Sequence, residues 1–302
     1  MNDKCDLLVI GGGIAGLTAA YHGALRGLNV IALEKNLYGG LVANIEGLEG
    51  YPAIGNPSGT GLAMAVIEAA QGAGAKIRQE SVTSLVLAGS RKTAETDKGR
   101  IQAERVIVAT GARLRKLGVP GEAELAYKGV SQCATCDGGL FKNEDVVVVG
   151  GGDAALQEAL VLTRHCRSIT MVVRSPIRAR RAYVKRVAGS EKIAFRWGTT
   201  VEAILGAKHV EGVRLKIAAE NRSEELPCKG VFVFIGVEPA TDGLPETLAR
   251  DGGGALVVDA QMQTSAKGIY AAGAARAGYG GQIVNAVSDG ATAAMAVAAS
   301  LG

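Results

Sequence analysis

An apolar run that breaks into glycines and resumes as an Ala/Leu-rich stretch occurs twice in this chain of 302 residues, and nothing else in the sequence limits the fold as tightly. Leu7-Leu8-Val9-Ile10-Gly11-Gly12-Gly13-Ile14-Ala15-Gly16 recurs as Val146-Val147-Val148-Val149-Gly150-Gly151-Gly152-Asp153-Ala154-Ala155. Each copy reads as strand, G-x-G-x-x-G/A turn and helix, with helices predicted over residues 17–25 and 156–163. In such a turn the first glycine bends the chain and the second lets backbone approach a pyrophosphate. The third position lets helix and strand pack, which leaves the helix N-terminus aimed at phosphate. Gly at 43 residues is about twice ordinary usage while Pro is only 7, which places the glycines in turns of this kind rather than in linkers. The expected fold class is α/β, with two Rossmann-like, three-layer nucleotide-binding domains.

The residue at the end of the following strand separates the two copies. After the first, Val30-Ile31-Ala32-Leu33 ends at Glu34, whose carboxylate can accept from an adenosine ribose hydroxyl, so this site suits FAD or NAD. After the second, Ile169-Thr170-Met171-Val172 leads at the same spacing to Val173. Arg174, Arg178, Arg180, Arg181, Lys185 and Arg186 then follow with no acid among them. Planar guanidinium groups suit a 2′-phosphate, which favours NADPH over NADH.

Composition excludes several classes. With 33 basic and 29 acidic residues, 48% hydrophobic and 4% aromatic, the chain has neither the composition of a disordered segment nor a basic stretch interleaved with aromatics for nucleic acid. No apolar run approaches the roughly 18 residues of a membrane helix, and residues 7–10 run into glycines rather than a cleavage site, so a cytoplasmic location is expected. Five cysteines do not form a disulfide framework; Cys5, Cys166 and Cys228 are scattered and, with the lone Trp197 expected in a small apolar cluster, read as structural.

Cys133-Ala134-Thr135-Cys136-Asp137 is different. A C-x-x-C in such a chain is either half a zinc site or a redox dithiol. No second C-x-x-C or H-x-x-H exists, and His22, His165 and His209 are far apart, so a metal site is not expected. Two thiols at this spacing can close and open as a disulfide, and Asp137 beside Cys136 offers a proton donor for the thiolate produced.

With these residues the chain closely resembles the low-molecular-weight thioredoxin reductases over essentially its whole length. The resemblance is carried by Gly-Val-Ser-Gln-Cys-Ala-Thr-Cys-Asp-Gly at 129–138, Gly11/Gly13/Gly16 with Glu34, Gly39-Gly40, Val108-Ala109-Thr110-Gly111, Phe234-Ile235-Gly236, Gly268-Ile269-Tyr270-Ala271-Ala272-Gly273, and Gln282 before Asp289-Gly290-Ala291. It implies an FAD domain built from residues 1–112 and 241–302, with an NADPH domain at 113–240 inserted between them and carrying the C-x-x-C. Hydride would pass from NADPH to FAD and electrons on to a Cys133–Cys136 disulfide, with Cys136 facing the flavin, Cys133 attacking the substrate and Asp137 as acid. The implied FAD contacts are Gly11, Gly13, Ile14, Ala15, Gly16, Glu34, Lys35, Gly40, Leu41, Asn44, Ala109, Thr110, Gly111, Gly273, Gln282 and Ile283. Those for NADPH are Gly150, Gly152, Asp153, Ala154, Ala155, Arg174, Arg178 and Arg180. A homodimer is implied as well, as is alternation by rotation of the inserted domain about its connections. Larger relatives carry their cysteine pair just after the first βα unit; here Leu41-Val42-Ala43-Asn44-Ile45 contains none.

Three departures stand out. Ala274-Ala275 replaces the family's Asp after Gly273, removing one FAD contact at a cost of roughly 1–3 kcal/mol. Gly281 stands where an Arg precedes Gln282, and Val173-Arg174-Ser175 keeps one arginine of a His-Arg-Arg element. The disulfide partner is therefore open between thioredoxin, a thioredoxin-like protein and a small disulfide. A dithiol oxidase of the same fold and a non-catalytic nucleotide-binding relative are the alternatives.

Overall fold

The first glycine turn ends the strand Asn2–Ile10, and the strand's position explains why residues 7–10 are apolar without interruption. In the computed structural model, which describes residues 2–52, 55, 57–87 and 91–302, this strand lies in the interior of a sheet covered on both faces. Leu7 and Val9 pack toward the helices Ile14–Ala24, Gly59–Gly72 and Ile283–Ala299, while Leu8 and Ile10 join Leu85, Leu248 and Leu256 on the other face. Val30–Glu34 and Gly99–Val108 flank it in parallel, with Leu7 opposite Val30 and Leu8 opposite Val106; Lys76–Gln79 and Ile269–Ala271 continue the parallel order. Antiparallel Lys92–Thr96 and Val82–Val86 extend the far side.

The second copy repeats the plan. Asp145–Val149 lies between Ser168–Val173 and Gly230–Val233, with Ile193–Trp197 and Val130–Ser131 at the edges and every pair parallel. Val146 and Val148 face the helices Asp153–Leu162 and Arg181–Ala188. Val147 and Val149 face an antiparallel sheet of Thr199–Leu205, Gly212–Ile217 and Arg222–Pro227, so helices, parallel sheet and antiparallel sheet form three layers.

The chain divides into two compact units, Met1–Arg113 with Glu238–Gly302, and Leu114–Val237. Where it leaves the first unit and returns, Ala112–Leu114 pairs with Val237–Pro239. Both helices after the glycine turns begin three residues before the stretch their apolar content marks, at Ile14 and Asp153, because the turn itself feeds the first helical turn. One expectation is corrected. Trp197 is 54% exposed and stacks on Phe195 with ring centroids 4.6 Å apart, because it ends an edge strand rather than entering a core.

Candidate active site: two nucleotide cradles and a cystine

The two glycine turns are built on the same plan. Gly11 (φ 110°) and Gly150 (φ 141°) lie in the region reserved for glycine, and a Cβ on either would overlap a carbonyl oxygen, that of Ala109 or of Phe234, at the end of the next parallel strand. Gly13 and Gly152 are the opposite case, since a Cβ there would meet nothing within 4 Å. Each is the N-cap of its helix with no side-chain cap, so the first-turn N–H groups face open space, the arrangement that receives a phosphate.

In the first unit the other expected residues gather about this opening. The Glu34 carboxylate accepts from Gly12 N (2.7 Å) and Asn36 N (2.8 Å), fixing it at the turn, while Lys35 beside it is exposed. Gly39 N donates to Gly12 O, which brings the 3-10 turn Gly40–Asn44, with Leu41 and Asn44, alongside Gly13. Gly16 packs on the Gly11 carbonyl. Gly273 (φ 70°) approaches Ala15, next to Ile14 in the first turn of the helix. Past Ala109, Thr110 Oγ1 is buried with no protein partner, and Gly111 turns the chain with φ 71°. A shielded hydroxyl without a partner is costly unless a bound group supplies one. Gln282 caps the helix that Ile283 begins, at a small cavity shared with residues 48–51.

In the second unit a cleft of about 730 Å³ opens at the carboxyl ends of the parallel strands, where doubly wound sheets bind ligands. Gly150, Gly152, Asp153, Ala154, Arg174 and Arg178 line it, and Ala155 is buried behind the turn. Val173 stands where Glu34 stands in the first unit, its Cγ1 2.9 Å from the Cβ position of Gly151 just as Glu34 Cβ is 2.7 Å from that of Gly12. Arg180 is turned to another task, because its backbone N–H and Nε donate to the two Asp153 oxygens at 2.7 and 2.8 Å and its guanidinium lies over the Tyr183 ring.

Cys133 and Cys136 form a disulfide with Cα atoms 5.3 Å apart at the start of the short helix Ala134–Asp137. Cys133 is half-buried and Cys136 exposed. Cys136 N donates to Cys133 Sγ at 3.1 Å. The Asp137 carboxylate accepts from Ser131 Oγ (2.6 Å), and that hydroxyl in turn accepts from Cys133 N (3.1 Å). Glu158 accepts from Ala134 N at 2.7 Å and ties the turn to the helix Asp153–Leu162. Neither Ser131 nor Glu158 announces itself in sequence: a serine two residues before the first cysteine is a weak signal, and Glu158 reaches the turn only through the packing of two helices.

Against this geometry the comparisons with known proteins are direct. The pyridine nucleotide-disulphide oxidoreductase family matches residues 5–290. The chain belongs to this family. Thioredoxin reductase of Treponema pallidum is 42% identical over 300 residues, spanning 99% of this chain and 97% of its own length. Thioredoxin reductase of Bacillus subtilis is 35% identical over 294 residues, 97% and 93% of the two chains. The crystal structure of Lactococcus lactis thioredoxin reductase (FR conformation) matches with a TM-score of 0.94 at 35% identity over 97% of both chains.

As a pyridine nucleotide-disulphide oxidoreductase, the protein is a flavoprotein that uses FAD and NADPH. Its residues fit such groups: two uncapped helix starts opening on free space, an orphaned hydroxyl at Thr110, and a cleft with basic residues in its wall. Its remaining thiols are buried, and burial pushes Cys5, Cys166 and Cys228 up to about 12, 11 and 12, which disfavours their thiolates. Where the family's Asp is replaced by Ala274, no carboxylate takes its place in the turn Gly273–Ala275. The nearby acid is Asp289, buried on the last helix, which accepts from Gly273 N (3.0 Å) and pairs with Arg276 through two bonds of 2.8 Å.

Proposed function

We propose that the protein is an NADPH-dependent reductase of protein disulfides, with thioredoxin or a thioredoxin-like protein as its oxidised substrate. FAD is held by the unit built from both chain ends and NADPH by the unit Leu114–Val237. The observation that carries this reading is a formed cystine, Cys133–Cys136, in the same unit as a nucleotide cleft with basic walls, in a chain whose relatives are thioredoxin reductases. The chemistry supplied by bound FAD is the relay of an electron pair from NADPH to that cystine.

The chain's own residues then complete the exchange. Once reduced, Cys133 is the sulfur that attacks, because the Cys136 N–H already donates to it and stabilises its thiolate. Its attack on the substrate disulfide forms a mixed disulfide and releases the substrate's second sulfur as a thiolate. Cys136 next attacks Cys133 Sγ, which closes the cystine and frees the substrate's first sulfur. Asp137, held by Ser131, is the proton donor at this step. In the first unit Glu34 and the open start at Gly13 hold adenosine and pyrophosphate; in the second, Gly152 and Arg174 do the same for NADPH.

The same reading places the protein in the cytoplasm as a homodimer, without nucleic acid or membrane as partner. In support, no helix among the described residues is long and apolar enough to cross a membrane. A dithiol oxidase of this fold has no use for a nicotinamide cleft, and the basic wall speaks for the reductase. The test is NADPH consumption by the holoenzyme with oxidised thioredoxin, lipoamide and a small aliphatic disulfide in parallel. Thioredoxin is expected to have the highest kcat/KM; rapid peroxide formation from a dithiol with no NADPH-driven reduction of any disulfide would identify the oxidase instead.

A further inference from the structure

The nucleotide cleft has two basic sides. Arg174 and Arg178 follow the strand Ser168–Val173, on one side of the central strand Asp145–Val149. Opposite, next to Gly236 just past the strand Gly230–Val233, the wall is Arg115, Lys116 and Leu117, part of the connection that enters this unit. This second side is tied down by its backbone and by one side chain. Arg115 N donates to Gly236 O (3.0 Å), Arg115 Nε to Val237 O (3.0 Å), and Gln132 Nε2 to Arg115 O (3.1 Å). The buried Glu122 carboxylate accepts from Leu117 N (2.8 Å) with one oxygen and from Gly118 N (2.7 Å) with the other. Lys116 sits in the middle of this fixed segment, and its ammonium has no partner among the described residues. The acid in the cleft wall, Asp153, is occupied by Arg180.

We propose that Lys116 is a nucleotide-binding residue, contacting the nicotinamide-side phosphate of NADPH, with Glu122 as the residue that positions it. The proposal rests on reading the cleft as the NADPH site. A doubly wound unit lays a dinucleotide across the carboxyl ends of its strands with the pyrophosphate at the glycine turn. The 2′-phosphate then falls to Arg174 and Arg178 on one side, and the second half of the molecule extends toward the strand Gly230–Val233, where Lys116 is a cation with no partner among the described residues, while Arg115 beside it donates through Nε to Val237 O. With its backbone held by residues 236–237, 132 and 122, the segment presents the unpartnered Lys116 ammonium from a main chain already ordered before binding, so only the lysine side chain has to be fixed.

Calorimetric titration of the FAD-loaded enzyme with NADP⁺ and with 2′,5′-ADP tests this, since the second ligand lacks the nicotinamide-side phosphate. Lys116→Ala is expected to weaken NADP⁺ about tenfold while leaving 2′,5′-ADP within about twofold, and Lys116→Arg to recover most of the loss. Arg174→Ala is expected to weaken both ligands, and Glu122→Gln to follow Lys116→Ala in direction. A Lys116→Ala enzyme that binds NADP⁺ as the wild type does, or that loses both ligands equally, overturns the assignment. If the wild-type holoenzyme binds neither ligand, the reading of the cleft fails and Lys116 with it; wild-type binding that Lys116→Ala leaves intact removes Lys116 alone.

Discussion

Single side chains here divide by whether their chemistry is available. Cys5, Cys166 and Cys228 are buried with thiols at about 11 to 12, so almost none is thiolate at neutral pH, whereas Cys133 and Cys136 sit at the surface of their unit. Alkylation at pH 8 after mild reduction is expected to label Cys133 and Cys136 within minutes and leave the other three unlabelled until denaturant is added, as peptide mass mapping can show; labelling of Cys228 in the folded protein contradicts this. Arg174 has no partner among the described residues, so it is free to meet a 2′-phosphate. Replacing it with Ala is expected to raise the KM for NADPH at least tenfold, from a charge-assisted contact of about 1.5–3 kcal/mol, while the poorer KM for NADH barely moves. Asp289 and Arg276 form the opposite kind of site, an ion pair with side chains 4% and 15% exposed. Arg276→Met strands the Asp289 charge and is expected to cost about 3 kcal/mol in denaturant unfolding. Arg276→Lys keeps the charge but only one of two bonds and is expected to cost less.

At the scale of the element, the repeated strand–turn–helix makes paired predictions because corresponding glycines have opposite surroundings. Gly152→Ala adds a methyl where nothing lies within 4 Å, so stability is expected to hold within about 0.5 kcal/mol while NADP⁺ binding drops at least tenfold, the methyl occupying phosphate space. Gly150→Ala forces a side chain into φ 141° and onto the Phe234 carbonyl, and is expected to destabilise its unit by about 2–4 kcal/mol. Equal stability for the two variants, read from thermal unfolding, contradicts the turn geometry. At the head of the same strand, the Arg167 guanidinium and the Ser168 hydroxyl lower Asp145 from 3.8 to about 2. A depressed carboxylate stabilises the fold above the unfolded-state value and loses that contribution as pH falls through the folded one. The side chain of Asp145 is 40% exposed and screened by solvent, so Asp145→Asn is expected to cost only about 0.5–1 kcal/mol at pH 7, a difference that shrinks between pH 4 and 2.

At the scale of the whole molecule, what the sequence made legible is what is local in the chain. Both sheet centres, both glycine turns, the cysteine pair and the exchange of Glu34 for Val173 depend on short runs with fixed spacing, and they stand in the structure as strand, turn and helix with the same residues. What was not legible depends on distant segments meeting. The antiparallel sheet from Thr199 to Pro227 mixes exposed Glu202, Arg214, Arg222 and Glu225 with buried Val201, Val213 and Leu215 without a regular alternation and carries no glycine signature, so nothing local marked it as the third layer. Ser131 and Glu158 matter only because folding brings them to the cystine. Lys116 became visible once the connection was seen to line the cleft, and the Asp289–Arg276 pair once the last helix was seen to pack against Gly273. Trp197 went the other way, since the aromatic expected in a small apolar cluster is 54% exposed at the end of an edge strand.

All of these parts converge on one claim, that the Cys133–Cys136 disulfide is the port through which electrons from NADPH leave the protein. The decisive measurement is anaerobic titration of the FAD-loaded enzyme with NADPH, counting titratable thiols and flavin absorbance together. Two new thiols per chain are expected as the disulfide opens, with flavin bleaching completed only by further NADPH. In Cys136→Ser the flavin is expected to bleach with no gain of thiols and no turnover of thioredoxin. Flavin reduction in the wild type without two new thiols, or a Cys136→Ser enzyme that still reduces thioredoxin at the wild-type rate, would contradict the claim.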